Sequence, residues 1–163
     1  MKPIHVGLLG LGTVGSGTIE VLRRNREEIS RRAGREIVIK VAGARDLKKP
    51  RSVSLDGIEL VGHAGEIVAR PDIDIVVELI GGDTDARELV LKAIDAGKHV
   101  VTANKALLAR HGTEIFSRAL AKGVMVAFEA SVSAAPDSGA SALDFLPNFT
   151  SHSSGARHLR THP

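Results

Sequence analysis

An α/β fold around a doubly wound, parallel sheet is predicted for this chain, as a single domain. Three observations carry the prediction. Over the first 128 residues two hydrophobic periods alternate, short aliphatic runs with longer amphipathic stretches, which is the signature of strand–helix–strand crossovers. The runs are nearly continuous rather than alternating polar and apolar, as strands covered on both faces require. A turn dense in glycine stands where the first run meets the first amphipathic stretch.

Ile4 to Leu9 is the first predicted strand. A helix is expected from Thr13 to about Arg32, with Val14, Ile19, Leu22 and Ile29 facing inward. Ile37 to Val41, rich in β-branched residues, reads as the second strand. Residues 50 to 63 are rich in turn formers and give no clear element, and a short helix is expected near Ala64 to Ala69. The strand Ile73 to Ile80 follows Pro71 and Asp72. In the next helix Ala86, Leu89, Val90, Ala93 and Ile94 fall at i, i+3, i+4, i+7 and i+8 of one face. Thr84 reads as its N-cap, Asp85 and Glu88 suit its positive end, and Gly97 suits C′. A strand from His99 to Thr102, a helix from Thr113 to Lys122 and a strand from Val124 to Phe128 complete the series.

Composition narrows the function. The chain has 163 residues, 43% hydrophobic and 25% charged, a globular balance. Aromatic residues are 2%, four Phe with no Trp or Tyr, so the core must be aliphatic and base-stacking platforms for RNA or single strands are excluded. Without cysteine there is no disulfide scaffold, thiolate metal site or thiol nucleophile. The histidines at 5, 63, 99 and 111 lack ligand spacing, and the other three lie near the end of the chain. The net charge of +3 is spread out, and Lys48-Lys49-Pro50-Arg51 is too short for a nucleic-acid footprint. No secretory segment and no membrane-length apolar run are found, so a soluble, cytoplasmic protein with an anionic small-molecule ligand is expected.

Gly10-Leu11-Gly12-Thr13-Val14-Gly15 matches G-x-G-x-x-G in the context that gives the pattern meaning, after a strand and opening a helix. Gly10 permits the sharp turn, Gly12 lets backbone approach a pyrophosphate, and Gly15 lets the helix pack close to the sheet. The amides of Gly12, Thr13 and Val14 and the positive helix end would face phosphates. The fold is thus Rossmann-like and the expected cofactor is a nicotinamide dinucleotide; a tight turn without a ligand is the alternative. Past the second strand stand Arg45, Asp46 and Lys48; Asp46 is one place late for the acid of an NAD site and could serve NAD if the turn bends inward. Arg45 can pair with a 2′-phosphate, so NADP, or use of both NADP and NAD, is favoured over a merely solvated turn. Gly81 and Gly82 follow the strand Ile73 to Ile80 at its carboxyl end, where ligands bind in open α/β sheets.

The stretch Gly97-Lys98-His99-Val100-Val101-Thr102-Ala103-Asn104-Lys105-Ala106-Leu107-Leu108-Ala109 resembles the GKHVVTANKALLA segment of homoserine dehydrogenases. The glycine turn, Val77-Glu78-Leu79-Ile80-Gly81-Gly82 and Phe128-Glu129-Ala130 agree with the same family. The resemblance implies reversible, NAD(P)-dependent interconversion of L-homoserine and L-aspartate 4-semialdehyde, on the route to threonine and methionine. It implies that Lys105 lies beside the nicotinamide as a catalytic residue, holding substrate or helping to move the alcohol proton, with Thr102 and Asn104 shaping the same loop. It also implies a structural sodium site to which Glu129 contributes its side chain and Val132 its carbonyl, and a dimeric or larger assembly for full-length relatives.

The likeness stops near residue 132, giving an expected NAD(P)-binding domain over residues 1–132 and an irregular tail over 133–163. The family's glycine-rich turn is replaced by Ser133-Ala134-Ala135-Pro136-Asp137-Ser138. The 33 residues from Ser131 to Pro163 hold seven Ser, three His and three Pro but no Lys, Ile or Glu, and they read as poorly ordered. One turn of helix could form over Ala142 to Leu146. Back-translated with suitable codons, Ala134 to Ser141 can be read in another frame as RHPILALR, a family-like helix start, so an out-of-frame tail is the expectation. The resemblance implies a substrate and dimerisation domain with a second catalytic lysine, and the given residues are expected to lack it. The chain is therefore expected to be the cofactor-binding half of the enzyme, inactive alone; the alternative is a non-catalytic NADP-binding module.

Overall fold

The first strand, β1 (Ile4–Leu9), lies at the centre of a six-stranded parallel sheet. The computed structural model describes residues 2–82 and 84–128. In chain order the other elements are α1 (Thr13–Arg24), α2 (Arg26–Ala33), β2 (Ile37–Gly43), β3 (Glu59–Val61), α3 (Ala64–Val68), β4 (Ile75–Glu78), α4 (Thr84–Asp95), β5 (His99–Thr102), α5 (Lys105–Lys122) and β6 (Val126–Phe128). The sheet order is β3-β2-β1-β4-β5-β6, the doubly wound order in which the chain reverses direction between β1 and β4. The expected Rossmann-like sheet is present. Glu129, Val132 and the whole tail, with its expected helical turn at 142–146, lie outside the described residues.

The two sheet faces are covered by different helices, and strand parity decides which side chain goes where. Val6, Leu8, Ile75, Val77 and Val101 pack with Ile19, Leu22 and Ile29 of α1 and α2. Leu9, Val76 and Val100 pack with Ile67, Val90, Ile94, Leu107 and Ile115 of α3, α4 and α5. A bulge interrupts β2: Ile39 pairs with Val6 and Val41 with Gly7, leaving Lys40 as the extra residue. The parity therefore flips, so Ile39 and Val41 sit on opposite faces although two residues apart. Both described phenylalanines, Phe116 and Phe128, are exposed, and the core is aliphatic as the composition required.

Four expectations are corrected. The first helix is broken at Asn25, whose side-chain Nδ2 donates to Val21 O at 3.1 Å while its own N–H uses the same carbonyl. A side chain competing for helix carbonyls is a local breaker. The strand β3 stands within the segment that gave no clear element. The last helix begins at Lys105, eight residues before Thr113, because Asn104 caps it by accepting the Leu107 N–H at 3.0 Å. Thr84 is the first residue inside α4 rather than its cap. Gly97 does hold a left-handed φ of 80° after α4, and Arg87 of α4 grips Glu114 of α5 through two hydrogen bonds.

The amino ends of the strands carry a polar cluster. Arg70 makes two hydrogen bonds to Asp72, which also pairs with Lys40 at 2.8 Å. Those partners hold the Asp72 carboxyl below the usual carboxylate range. His99 Nδ1 accepts the Met125 N–H at 3.0 Å, which demands an unprotonated nitrogen, and burial pushes the His99 pKa down against the pull of Asp74. As the pH falls the unfolded chain takes up the His99 proton first, so stability should drop below about pH 6.5. A second loss should begin below about pH 4, where unfolded Asp72 protonates while the folded carboxylate does not. Urea midpoints measured between about pH 7.5 and 2.5 check both losses; a flat profile from about 7.5 to 5.5 would contradict the His99 assignment.

Candidate functional site

At the carboxyl edge of the sheet β1 parts from β4, and loops from both strands open a crevice at the point where the strand order reverses. Gly10 leaves β1 with a φ of 109°, a conformation that other residues adopt only with strain. A Cβ there would also stand 3.1 Å from Leu79 O. Its N–H donates to Gly43 O at 3.2 Å and the Leu79 N–H donates to Leu9 O at 2.9 Å, so the turn is tied to both neighbouring strands.

Gly12 is the N-cap of α1. It brings no side-chain cap, and the first turn of α1 contains no acidic residue. The helix thus presents its first-turn amides and the positive end of its dipole without a carboxylate to neutralise them. A Cβ on Gly12 would meet nothing within 4 Å, whereas one on Gly15 would stand 2.7 Å from Gly10 O. Open space above the amides, with tight packing beneath them, is the cradle a diphosphate needs, and the residues present fit a dinucleotide. Thr13 is exposed beside it. Val14, expected to face the core, is 37% exposed and instead lines a cleft of about 240 Å³ with Glu78, Leu79, Gly81, Ala103, Asn104 and Lys105.

The far wall of this cleft is built from β4 and β5. Gly81 and Gly82 turn the chain after β4 with φ of 80° and 73°. The buried Thr102 hydroxyl donates to Glu78 Oε2 at 2.7 Å and accepts the Asn104 N–H at 3.0 Å. Asn104 then caps α5 through Oδ1 and donates through Nδ2 to Gly82 O. Lys105 follows as the first residue of α5, exposed at the cleft. Thr102, Asn104, Lys105, Gly81 and Gly82 are thus brought together, and Gly81, Asn104 and Lys105 line the cleft with Val14 of the glycine turn, Thr102 being buried behind them.

Arg45 and Lys48 stand apart from that wall, exposed in the turn that follows β2. Asp46 Oδ1 accepts the Lys48 N–H at 3.0 Å, so this acid is engaged in its own turn. Two residues of the site escaped the sequence reading. Glu78 is fully buried with its carboxylate beneath the cleft; an acid ending an aliphatic strand was the available signal. Arg51 donates to Asp46 O and Lys49 O, each at 2.7 Å, and reaches Leu11 O at 3.5 Å. It fastens the turn after β2 to the glycine turn, a contact across forty positions that no local pattern announces. Among the described residues no cluster of His, Asp or Glu could hold a metal ion, and no helix is long and apolar enough to cross a membrane.

Comparisons with known proteins agree with this geometry. The family described as "Homoserine dehydrogenase, NAD binding domain" matches residues 10–129. A homoserine dehydrogenase of Pseudomonas aeruginosa is 56% identical over 132 residues, 81% of this chain but 30% of the relative. One from Methylobacillus glycogenes is 64% identical over 109 residues, 67% of this chain and 26% of the relative. The crystal structure of a homoserine dehydrogenase from Thiobacillus denitrificans superposes with a TM-score of 0.75 at 62% identity, covering 80% of this chain and 30% of that one. The chain spans about 30% of the length of such relatives.

Proposed function

Because this chain belongs to the homoserine dehydrogenase family and its matched residues are the NAD-binding domain, we propose that residues 1–132 form a unit that binds NADP(H), and NAD(H) less tightly. Its service in a complete enzyme would be the interconversion of L-homoserine and L-aspartate 4-semialdehyde in threonine and methionine biosynthesis. The observation that carries the reading is the uncapped, acid-free start of α1 beneath open space, at the crevice between β1 and β4.

The residues divide the work. Gly12, Thr13 and Val14 offer amides to the diphosphate, with Gly10 and Gly15 shaping the turn. Arg45, with Lys48 nearby, receives the 2′-phosphate, and the engagement of Asp46 in its own turn favours NADP by withdrawing the acid that NAD would use. Gly81, Gly82, Thr102 and Asn104 flank the nicotinamide half. The dinucleotide, when bound, supplies a hydride carrier. Lys105, a cation at the mouth of the cleft, holds the substrate oxygen and helps to move its proton. Glu129 and Val132, the sodium ligands that the family resemblance implies, are retained as part of the proposal.

Arg45→Ala should weaken NADPH binding by about tenfold or more, the loss of charge-assisted bonds to a phosphate, and leave NADH binding nearly unchanged. Fluorescence titration of both cofactors reads this directly, and equal effects would refute the assignment. Among the described residues that line the cleft Lys105 is the only cation, too few groups to hold an amino acid's ammonium and carboxylate as well as its reacting oxygen. Binding of NADPH without homoserine oxidation is therefore expected of the chain as given. Measurable turnover would show that the rest of a catalytic site is within it.

A further inference from the structure

Glu78 is the one buried carboxylate among the described residues, and the division of labour above gives it no task. Its surroundings are specific. Oε1 accepts the N–H groups of Ile80 at 2.7 Å and Gly81 at 3.2 Å, and Oε2 accepts the Thr102 hydroxyl at 2.7 Å. The Thr102 oxygen, its proton given to Glu78, accepts the Asn104 N–H at 3.0 Å. Asn104 closes the circuit through its side chain, donating to Gly82 O. A single acceptor-only group thus joins the turn that follows β4 to the turn that opens α5. Three donors converge on it from two loops far apart in sequence, an arrangement that a neutral amide cannot copy.

Both loops line the cleft, one through Gly81 and the other through Ala103 to Lys105. They lie on the β4–β5 side of the crevice, away from the turn after β2 that would receive the adenosine end. We propose that Glu78 is a positioning residue for the nicotinamide half of the dinucleotide, holding Gly81 and Asn104–Lys105 at a fixed spacing through Thr102 and the Ile80–Gly81 amides. The proposal rests on the dinucleotide reading given above. It makes the carboxylate matter to one half of the ligand and not to the other.

That asymmetry is what the experiment reads. The full chain is titrated with the reduced dinucleotide it binds more tightly, NADPH or NADH, and with the matching fragment that lacks nicotinamide, adenosine 2′,5′-bisphosphate or ADP. Glu78→Gln should weaken the dinucleotide by about tenfold, the loss of one hydrogen bond to a charged group, and change fragment affinity less than about twofold. Thr102→Val, which removes only the hydroxyl on Oε2, should do the same, and Thr102→Ser should restore wild-type binding. The threonine pair carries the test if Glu78→Gln does not fold. Equal losses on both ligands would mean a merely structural role and overturn the proposal, as would no loss on either. A wild-type chain that binds neither ligand would overturn the dinucleotide reading and this proposal with it, an outcome distinct from losses confined to the variants.

Discussion

Alanine at Gly12 is expected to leave the fold intact and to remove dinucleotide binding, whereas alanine at Gly15 is expected to damage both. The two positions lie in one short turn and differ in what surrounds them. Gly12 has φ −91° and ψ −154°, a backbone that any residue adopts, and a Cβ there meets nothing within 4 Å. Its methyl group would therefore cost the empty chain little and occupy the space above the first amides of α1. Losing close approach to two or more of those amides should reduce affinity by about 100-fold or more, since bonds to a charged partner each contribute about tenfold. At Gly15 the added carbon would stand 2.7 Å from Gly10 O and 3.5 Å from a Leu11 methyl. Backbone must move to make room, and overpacking of this kind costs about 1–3 kcal/mol. Thermal unfolding of both variants, with NADPH titration, separates the two effects. Wild-type affinity in Gly12→Ala would mean that the phosphates lie elsewhere.

The contrast also shows what local sequence can reveal. The glycine turn declares itself because its requirements are backbone requirements, met by residues that adjoin in the chain. The alternation of strands and helices is equally local, since each element must place its apolar residues on the side that the sheet covers. Side chains that serve a distant partner escape such reading. Val14 fits the helical apolar period yet is exposed and lines the cleft, where its neighbours Gly81, Asn104 and Lys105 come from distant parts of the chain. Asn25 breaks a helix by hydrogen bonds that its polarity permits but does not require. The strand β3 is three residues at the sheet edge, with one buried side chain, too short to show a period. Asn104 stood out in the sequence as a residue of the loop after β5; its capping of α5 was hidden because Arg110, His111 and Gly112 interrupt the apolar pattern that would have extended the helix.

Replacing Lys98 should destabilise the chain strongly while leaving cofactor affinity unchanged below the unfolding transition. Lys98 is 4% exposed at the amino end of β5. Its ammonium donates to Ile73 O at 3.0 Å and also to Arg70 O, the two carbonyls of the turn that leads from α3 into β4. Burial pushes the Lys98 pKa down, and Asp74 and Asp72 oppose that shift, so the charge is partly compensated by the cluster around it. Two effects compete in Lys98→Met. Removing a buried charge relieves desolvation, but Ile73 O loses the ammonium as donor and Arg70 O is left with the Ile73 N–H at 3.5 Å. Because those acceptors remain enclosed while the desolvation is already offset by two carboxylates, the second effect should win, at about 2 kcal/mol. Lys98→Ala adds a cavity and should cost about 3 kcal/mol or more. The cleft at the carboxyl edge is about 13 Å away along the four residues of β5, and no hydrogen bond from Lys98 reaches it. Urea denaturation should therefore shift its midpoint to lower concentration, with NADPH affinity of the folded variant unaltered. Unchanged stability in both variants would mean that the turn before β4 holds its shape without the ammonium, and that the amino end of the sheet is organised by the Arg70–Asp72 pair alone.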